Sequence, residues 1–164
     1  MIGSKNNIKL YKNLIKQSIS SHIDLYVEPF GGEFGLYKII NKPTLSIYND
    51  INKELYNKIS NQYKNDNSIL CFNLDYKEII KKFDSINTFF YCDPPYFQKY
   101  YYEYNFDADE QHIELANILK NIKGKFLLSY QDRKFITDLY QDFKIDKFTG
   151  VDIHLKPEIT IKNY

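Results

Sequence analysis

The sequence predicts an open α/β sheet, covered by helices on both faces, and three observations carry that expectation. Short apolar runs of strand length alternate along the chain with segments of helical periodicity. Alternation of this kind implies parallel pairing through right-handed crossovers. The last two strand-like runs, 143–148 and 158–162, follow one another with no helical segment between them, which adds an antiparallel pair at one end of the sheet. Seven strands are expected in all, so the sheet should be mixed and mostly parallel.

The elements follow in order. A helix is expected over 5–20 and a strand over 23–28, then a turn at Pro29-Phe30-Gly31-Gly32 and a second helix to about residue 40. A strand over 44–48 ends in Asn49-Asp50. Residues 51–63 read as a helix because Ile51, Leu55 and Ile59 recur every four positions. Strands are expected over 69–73, 88–92 and 125–130, and helices over 109–120 and 133–141, with Asp107 or Asp109 as a cap for the former.

A chain of 164 residues is the size of one domain, so 1–164 is read as a single unit. With 43% hydrophobic and 17% aromatic residues, disorder is excluded as a general state. Apolar runs fall far short of the about 20 residues that a membrane span needs. The start, Met1-Ile2-Gly3-Ser4-Lys5, has no apolar leader core, so a cytoplasmic protein is expected. Cys71 and Cys92 both lie inside apolar strand-like runs and read as buried thiols rather than a disulfide. The net charge of +1 is uninformative about partners, because the lysines are scattered among nearly as many acids and Arg133 is the only arginine.

In open α/β sheets the ligand crevice lies beyond the carboxyl ends of the strands, and three strand ends carry unusual chemistry. After the first strand comes Glu28-Pro29-Phe30-Gly31-Gly32. Glycines here let the backbone approach a ligand closely, while Glu28 argues against a phosphate and for a cationic or neutral ligand. The pair can also be read as a tight turn alone. At the end of the next strand, Asp50 lies near the distance from the glycine turn at which an acid accepts hydrogen bonds from ribose hydroxyls. It, or Asn49, can equally be a helix cap. Asn73-Leu74-Asp75-Tyr76 has the same double reading. The third end is Tyr91-Cys92-Asp93-Pro94-Pro95-Tyr96. Its prolines remove N–H donors and keep carbonyl acceptors, so with Asp93 the turn mostly accepts hydrogen bonds. An exocyclic amino group supplies two such donors, and the Tyr96 ring can stack on the flat ring that bears them.

In this order the segments resemble the Dam-like N6-adenine-specific DNA methyltransferases. The likeness rests on Gly3-Ser4-Lys5, Val27-Glu28-Pro29-Phe30-Gly31-Gly32, Asn49-Asp50-Ile51-Asn52 and Asp93-Pro94-Pro95-Tyr96. Phe106, His112, Leu115 and Ala116, then Phe126-Leu127-Leu128-Ser129 and the tail after Pro157, extend it over nearly the whole chain. The resemblance implies a Rossmann-like methyltransferase fold with S-adenosylmethionine as cofactor and no metal. It implies that Lys5, Glu28, Pro29, Phe30, Gly31, Gly32, Asp50, Asp75, Tyr76 and Asp93 contact the cofactor, with Asp50 on the ribose and Asp75 and Tyr76 near its adenine. It implies that Asp93, Pro94 and Tyr96 meet a target adenine flipped out of duplex DNA, or presented on a single strand. No covalent adduct is needed, so Cys92 is read as core, and neither His112 nor His154 is given a catalytic role.

The sequence departs from the family in one respect. Full-length relatives carry a target-recognition region between the third cofactor motif and the tetrad, whereas here only residues 77–92 separate Asp75-Tyr76 from Asp93. The recognition region is therefore read as missing. Either the Tyr-rich stretch Tyr100-Tyr101-Tyr102-Glu103-Tyr104, a second copy of the chain or a partner protein would have to add nucleic-acid contacts. Two other functions fit the same residues: an amino methyltransferase acting on RNA or on cytosine, and a non-catalytic cofactor-binding subunit that needs a partner.

Overall fold

The computed structural model describes residues 23–41, 43–95, 109–148 and 158–164. Seven strands are present: β1 (Leu25–Glu28), β2 (Leu45–Asn49), β3 (Ile69–Phe72), β4 (Thr88–Cys92), β5 (Lys125–Gln131), β6 (Lys144–Phe148) and β7 (Glu158–Lys162). Four helices are described: α1 (Lys53–Gln62), α2 (Tyr76–Phe83), α3 (Asp109–Lys120) and α4 (Lys134–Leu139). The strands form one sheet in the order β3-β2-β1-β4-β5-β7-β6. All pairings from β3 to β5 are parallel, and β7 runs antiparallel to both β5 and β6. The expected mixed, mostly parallel sheet is thus observed, with the antiparallel pair at one end.

The chain builds outward from β1 through β2 to β3, then returns to lay β4 on the other side of β1. The order reverses between β1 and β4, and a crevice opens at such a switch point. Each face of the sheet has its own core. Val27, Phe90, Cys92 and Leu128 face α2, α3 and α4, meeting Ile79, Ile80, Leu115 and Ile136. On the other face Tyr26, Tyr48, Phe89 and Tyr91 pack with Phe34, Tyr37 and Ile59. Strand β4 is buried along its whole length, as a central parallel strand should be.

Several expectations need correction. No helix follows Gly32; residues 32–40 form successive turns. Gly32 and Phe34 both take positive φ, 49° and 52°, and a left-handed residue at either position interrupts helix growth. Aromatic packing holds that backbone. The Phe34 ring stacks on Tyr37 at 4.5 Å with 2° between the planes, and Tyr63 meets it edge-on at 5.9 Å. Helix α1 starts two residues later than its periodicity suggests, because Asn52 caps it by accepting from the N–H groups of Glu54 and Leu55 at 2.9 and 3.2 Å. Neither Asn49 nor Asp50 is its cap, and Ile51 is left outside and exposed. Helix α4 is shorter than expected, with Arg133 at its cap position. Both cysteines are free thiols, Cys92 buried and Cys71 half-buried. The expected helix over 5–20, Lys5, Tyr96, Phe106, His154 and the Tyr-rich stretch lie outside the described residues. Among the described residues, no helix is long and apolar enough to cross a membrane.

Candidate active site

The site is organised around the end of β2. Asn49 is 0% exposed and ties three strand ends together. Its Nδ2 donates to the carbonyls of Pro29 and Leu74, both at 2.9 Å, and its Oδ1 accepts the Leu74 N–H at 3.0 Å. The amide orientation follows from these partners, because only Oδ1 can accept from an N–H. Asn73 adds a second tie, donating from Nδ2 to the carbonyls of Asp50 and Ile51 at 2.7 and 3.0 Å. The loops after β1, β2 and β3 are thereby held as one surface. Sequence reading gave Asn49 only a capping role; its neighbour Asp50 drew the attention.

The glycine turn is seated tightly on that surface. A Cβ on Gly31 would lie 2.3 Å from Cε2 of the buried Tyr48 ring and 3.0 Å from the Asn49 carbonyl oxygen, so the position requires glycine. The Gly31 N–H donates to the Asn49 carbonyl at 2.7 Å, and Tyr48 donates its hydroxyl to the Gly32 carbonyl at 3.0 Å. Gly32 is the opposite case: a Cβ there would meet nothing within 4 Å. One glycine lets the loop sink onto β2, and the other presents an open backbone surface.

Asp50 joins the two. Its Oδ2 accepts the Gly32 N–H and its Oδ1 accepts the Asn52 N–H, each at 2.8 Å. Burial raises its carboxyl above the ordinary range, opposed by those two N–H bonds. Each oxygen keeps acceptor capacity beyond its one backbone bond. Beside it, Phe30 and Tyr76 pack with ring centroids 5.0 Å apart, an aromatic wall at the ends of β1 and β3. Asp75 caps α2, accepting the Lys77 N–H at 2.8 Å, so its helix-cap reading is realised. An open Gly32 face, the Asp50 acceptors and the aromatic wall suit a nucleoside-bearing cofactor such as S-adenosylmethionine.

Across the switch point, β4 delivers Asp93, half-buried, and Pro94, buried. Strand alternation puts Asp93 on the same face as Tyr91, and β4 lies next to β1 in parallel register, with Val27 opposite Phe90. Glu28, on that same face of β1, is 2% exposed. It accepts the Tyr26 hydroxyl at 2.6 Å and the backbone N–H of Tyr37. Desolvation is the main cause that pushes its carboxyl up to about 8, with the Asp93 charge adding to it. Burial, with Asp93 and Glu28 nearby, also drives the Cys92 thiol far above its ordinary value, which fits a core thiol rather than a nucleophile. His112 is fully buried, its Nδ1 2.6 Å from the Tyr130 hydroxyl.

Comparison with known proteins adds two findings. A family model described as D12 class N6 adenine-specific DNA methyltransferase matches residues 57–150, a stretch that takes in Asp93, Pro94 and Pro95 but not Glu28, Gly31 or Asp50. No curated protein sequence matches the chain. Among solved structures, the putative methyltransferase yhhF from Escherichia coli aligns with a TM-score of 0.67 at 8% identity, over 97% of this chain and 86% of its own. SMU.1697c, a putative methyltransferase from Streptococcus mutans in complex with SAH, gives 0.65 at 12% identity over 99% of both chains. An rRNA methylase from Streptococcus thermophilus gives 0.63 at 10% identity, over 99% of this chain and 97% of its own. At these identities the likeness carries the fold, a Rossmann-like methyltransferase sheet with the strand order described above.

Proposed function

Because this chain belongs to the D12 class N6 adenine-specific DNA methyltransferase family and has the fold of S-adenosylmethionine-dependent methyltransferases, we propose that it methylates the 6-amino group of adenine in DNA. The observation that carries this reading is the position of Asp93-Pro94-Pro95 at the end of β4, across the switch point from the glycine turn and Asp50. In this reading Gly31, Gly32, Asp50, Phe30 and Tyr76 hold the cofactor, with Lys5, Glu28, Pro29 and Asp75 around it. Asp50 accepts from the ribose hydroxyls, and the Phe30–Tyr76 wall flanks the adenine ring.

Bound S-adenosylmethionine supplies an electrophilic methyl group on a sulfonium centre. The amino nitrogen of adenine is a poor nucleophile, since its lone pair is delocalised into the ring. Asp93 and the Pro94 carbonyl each accept one amino hydrogen, which draws the nitrogen toward tetrahedral geometry and aims its lone pair at the methyl group. Tyr96 stacks on the base. Most of the rate then comes from positioning and fixed electrostatics.

The test is to incubate the chain with labelled cofactor and separate DNA and RNA pools, then identify the methylated base. N6-methyladenine in DNA is the expected product. Label confined to RNA or to cytosine would transfer the same chemistry to another substrate, and no label in either pool would leave a cofactor-binding subunit.

A further inference from the structure

Three consecutive residues at the end of β2 grip the glycine turn. The Asn49 carbonyl accepts the Gly31 N–H at 2.7 Å, Asp50 accepts the Gly32 N–H at 2.8 Å, and the Tyr48 hydroxyl donates to the Gly32 carbonyl at 3.0 Å. Tyr48 is fully buried. Its ring meets Phe34 edge-on at 5.1 Å and forms the floor on which Gly31 rests. A phenylalanine would make the same ring contacts. What distinguishes tyrosine here is the hydroxyl, and burying a hydroxyl costs free energy unless it is bonded. Its bond goes to Gly32.

Gly32 is the residue of the turn that needs holding. It takes a left-handed backbone, with φ at 49°. Glycine adopts either sign of φ about as readily, so its own chemistry does not select this form. A Cβ there would meet nothing within 4 Å, so packing on that side does not select it either. The bonds to its N–H and its carbonyl do, because they orient the peptide planes before and after it.

We infer that the Tyr48 hydroxyl is a latch that sets the Gly31-Gly32 turn in its cofactor-binding shape before the cofactor arrives, which makes Tyr48 a positioning residue of the site. The inference rests on the functional reading above. Tyr48 acts through Gly32 and touches neither the methyl group nor the base. When a binding-competent shape is only partly populated, apparent affinity falls by that fraction. The latch keeps the fraction high. S-adenosylmethionine and S-adenosylhomocysteine differ only at the sulfur, so the turn serves both alike.

Tyr48→Phe tests this, since it removes the hydroxyl and keeps the ring. Calorimetry should show affinity for S-adenosylmethionine and for S-adenosylhomocysteine lowered by the same factor, about two- to tenfold, the worth of one net hydrogen bond. In turnover the KM for S-adenosylmethionine should rise by that factor with kcat unchanged. Without ligand, hydrogen exchange at the Gly31 and Gly32 amides should quicken more than at the amides of β4. Unchanged affinity would overturn the proposal, as would a fall in kcat at constant KM. Equal quickening of exchange at the turn and in β4 would also overturn it, because that marks a general loss of stability. Should Tyr48→Phe not fold, the wild type decides: the Gly31 and Gly32 amides must be protected in the unliganded chain, and exchange there at the rate of free peptide would show that no latch acts before binding. Wild-type binding that Tyr48→Phe leaves intact sinks this inference only, whereas no binding of either ligand by the wild type sinks the functional reading with it.

Discussion

Asp50, Asp93 and Glu28 are three acids at strand ends in one crevice, and their surroundings assign them different chemistry. Asp50 spends one lone pair of each oxygen on a backbone N–H and keeps the others for a ligand. Asp50→Ala should therefore weaken cofactor binding by about one to two decades, the equivalent of roughly 1.5–3 kcal/mol for a charged acceptor. Calorimetry showing unchanged affinity would remove Asp50 from the cofactor site. Asp93 follows the last residue of β4 and is only half-buried, so replacing it disturbs little of the core. Asp93→Ala should abolish methyl transfer while melting temperature and cofactor affinity stay close to wild type; robust turnover by this variant would mean that the tetrad is not catalytic. Glu28 makes a prediction about stability. Its ordinary value of 4.5 rises to about 8 in the folded chain. Below 4.5 both folded and unfolded states hold the proton. Between 4.5 and about 8 only the folded state holds it, so stability falls as pH rises through this window, and above it the slope vanishes. Thermal unfolding from acid to mildly alkaline pH should show this loss in the wild type relative to Glu28→Gln. Parallel curves for the two proteins would contradict it.

Elements differ in which end of the sheet their ties serve. Asn49 binds the loops after β1 and β3 at the crevice end, while Asp84 accepts the N–H groups of Lys123 and Gly124 at the far end, between 2.9 and 3.0 Å. Asn49→Ala leaves two carbonyls and an N–H without their partner in the interior and should cost about 3 kcal/mol, with cofactor affinity lost as well. Asp84→Ala should cost about 1 kcal/mol and leave that affinity alone, because its partners are part-exposed. Denaturant titrations paired with cofactor binding separate the two cases; equal effects on binding would refute the division. The same elements show what was legible beforehand. Strands β4 and β7 and helix α3 have the bounds their patterns suggest, since each run of one periodicity ends in Pro, Asn or polar residues. The segment after Gly32 misled, because Phe34 takes a left-handed backbone, stacks on Tyr37 and meets Tyr63 edge-on, a tertiary preference invisible to periodicity. The carboxyls of the site were legible as strand-end acids. The Asn49 tie was not, since it depends on which strands become neighbours.

For the whole molecule, topology bears on how a substrate could be read. The interval between Asp75 and Asp93 folds into α2, a four-residue connection at 84–87 and β4, and the connection lies at the end of the sheet opposite the crevice. That interval holds a helix, a short connection and a strand, with no additional segment. Direct readout needs side chains set against base edges in a groove, each good bidentate pair contributing roughly 1–3 kcal/mol of discrimination. The chain has one arginine to offer, and lysines 58, 77, 134 and 147 are engaged with acids. Exposed pairs like these contribute little stability, but they offset the positive field that would otherwise attract phosphates. The expected behaviour is methylation of adenine with little or no preference for flanking sequence, through binding that weakens steeply as salt rises, unless a second copy or a partner adds surface. Mapping modified adenines on long DNA of mixed sequence, at two salt concentrations, measures both properties. If the isolated chain confined methylation to one motif of about four or more base pairs, readout on the scale of several such pairs would be present, and this account of its specificity would be wrong.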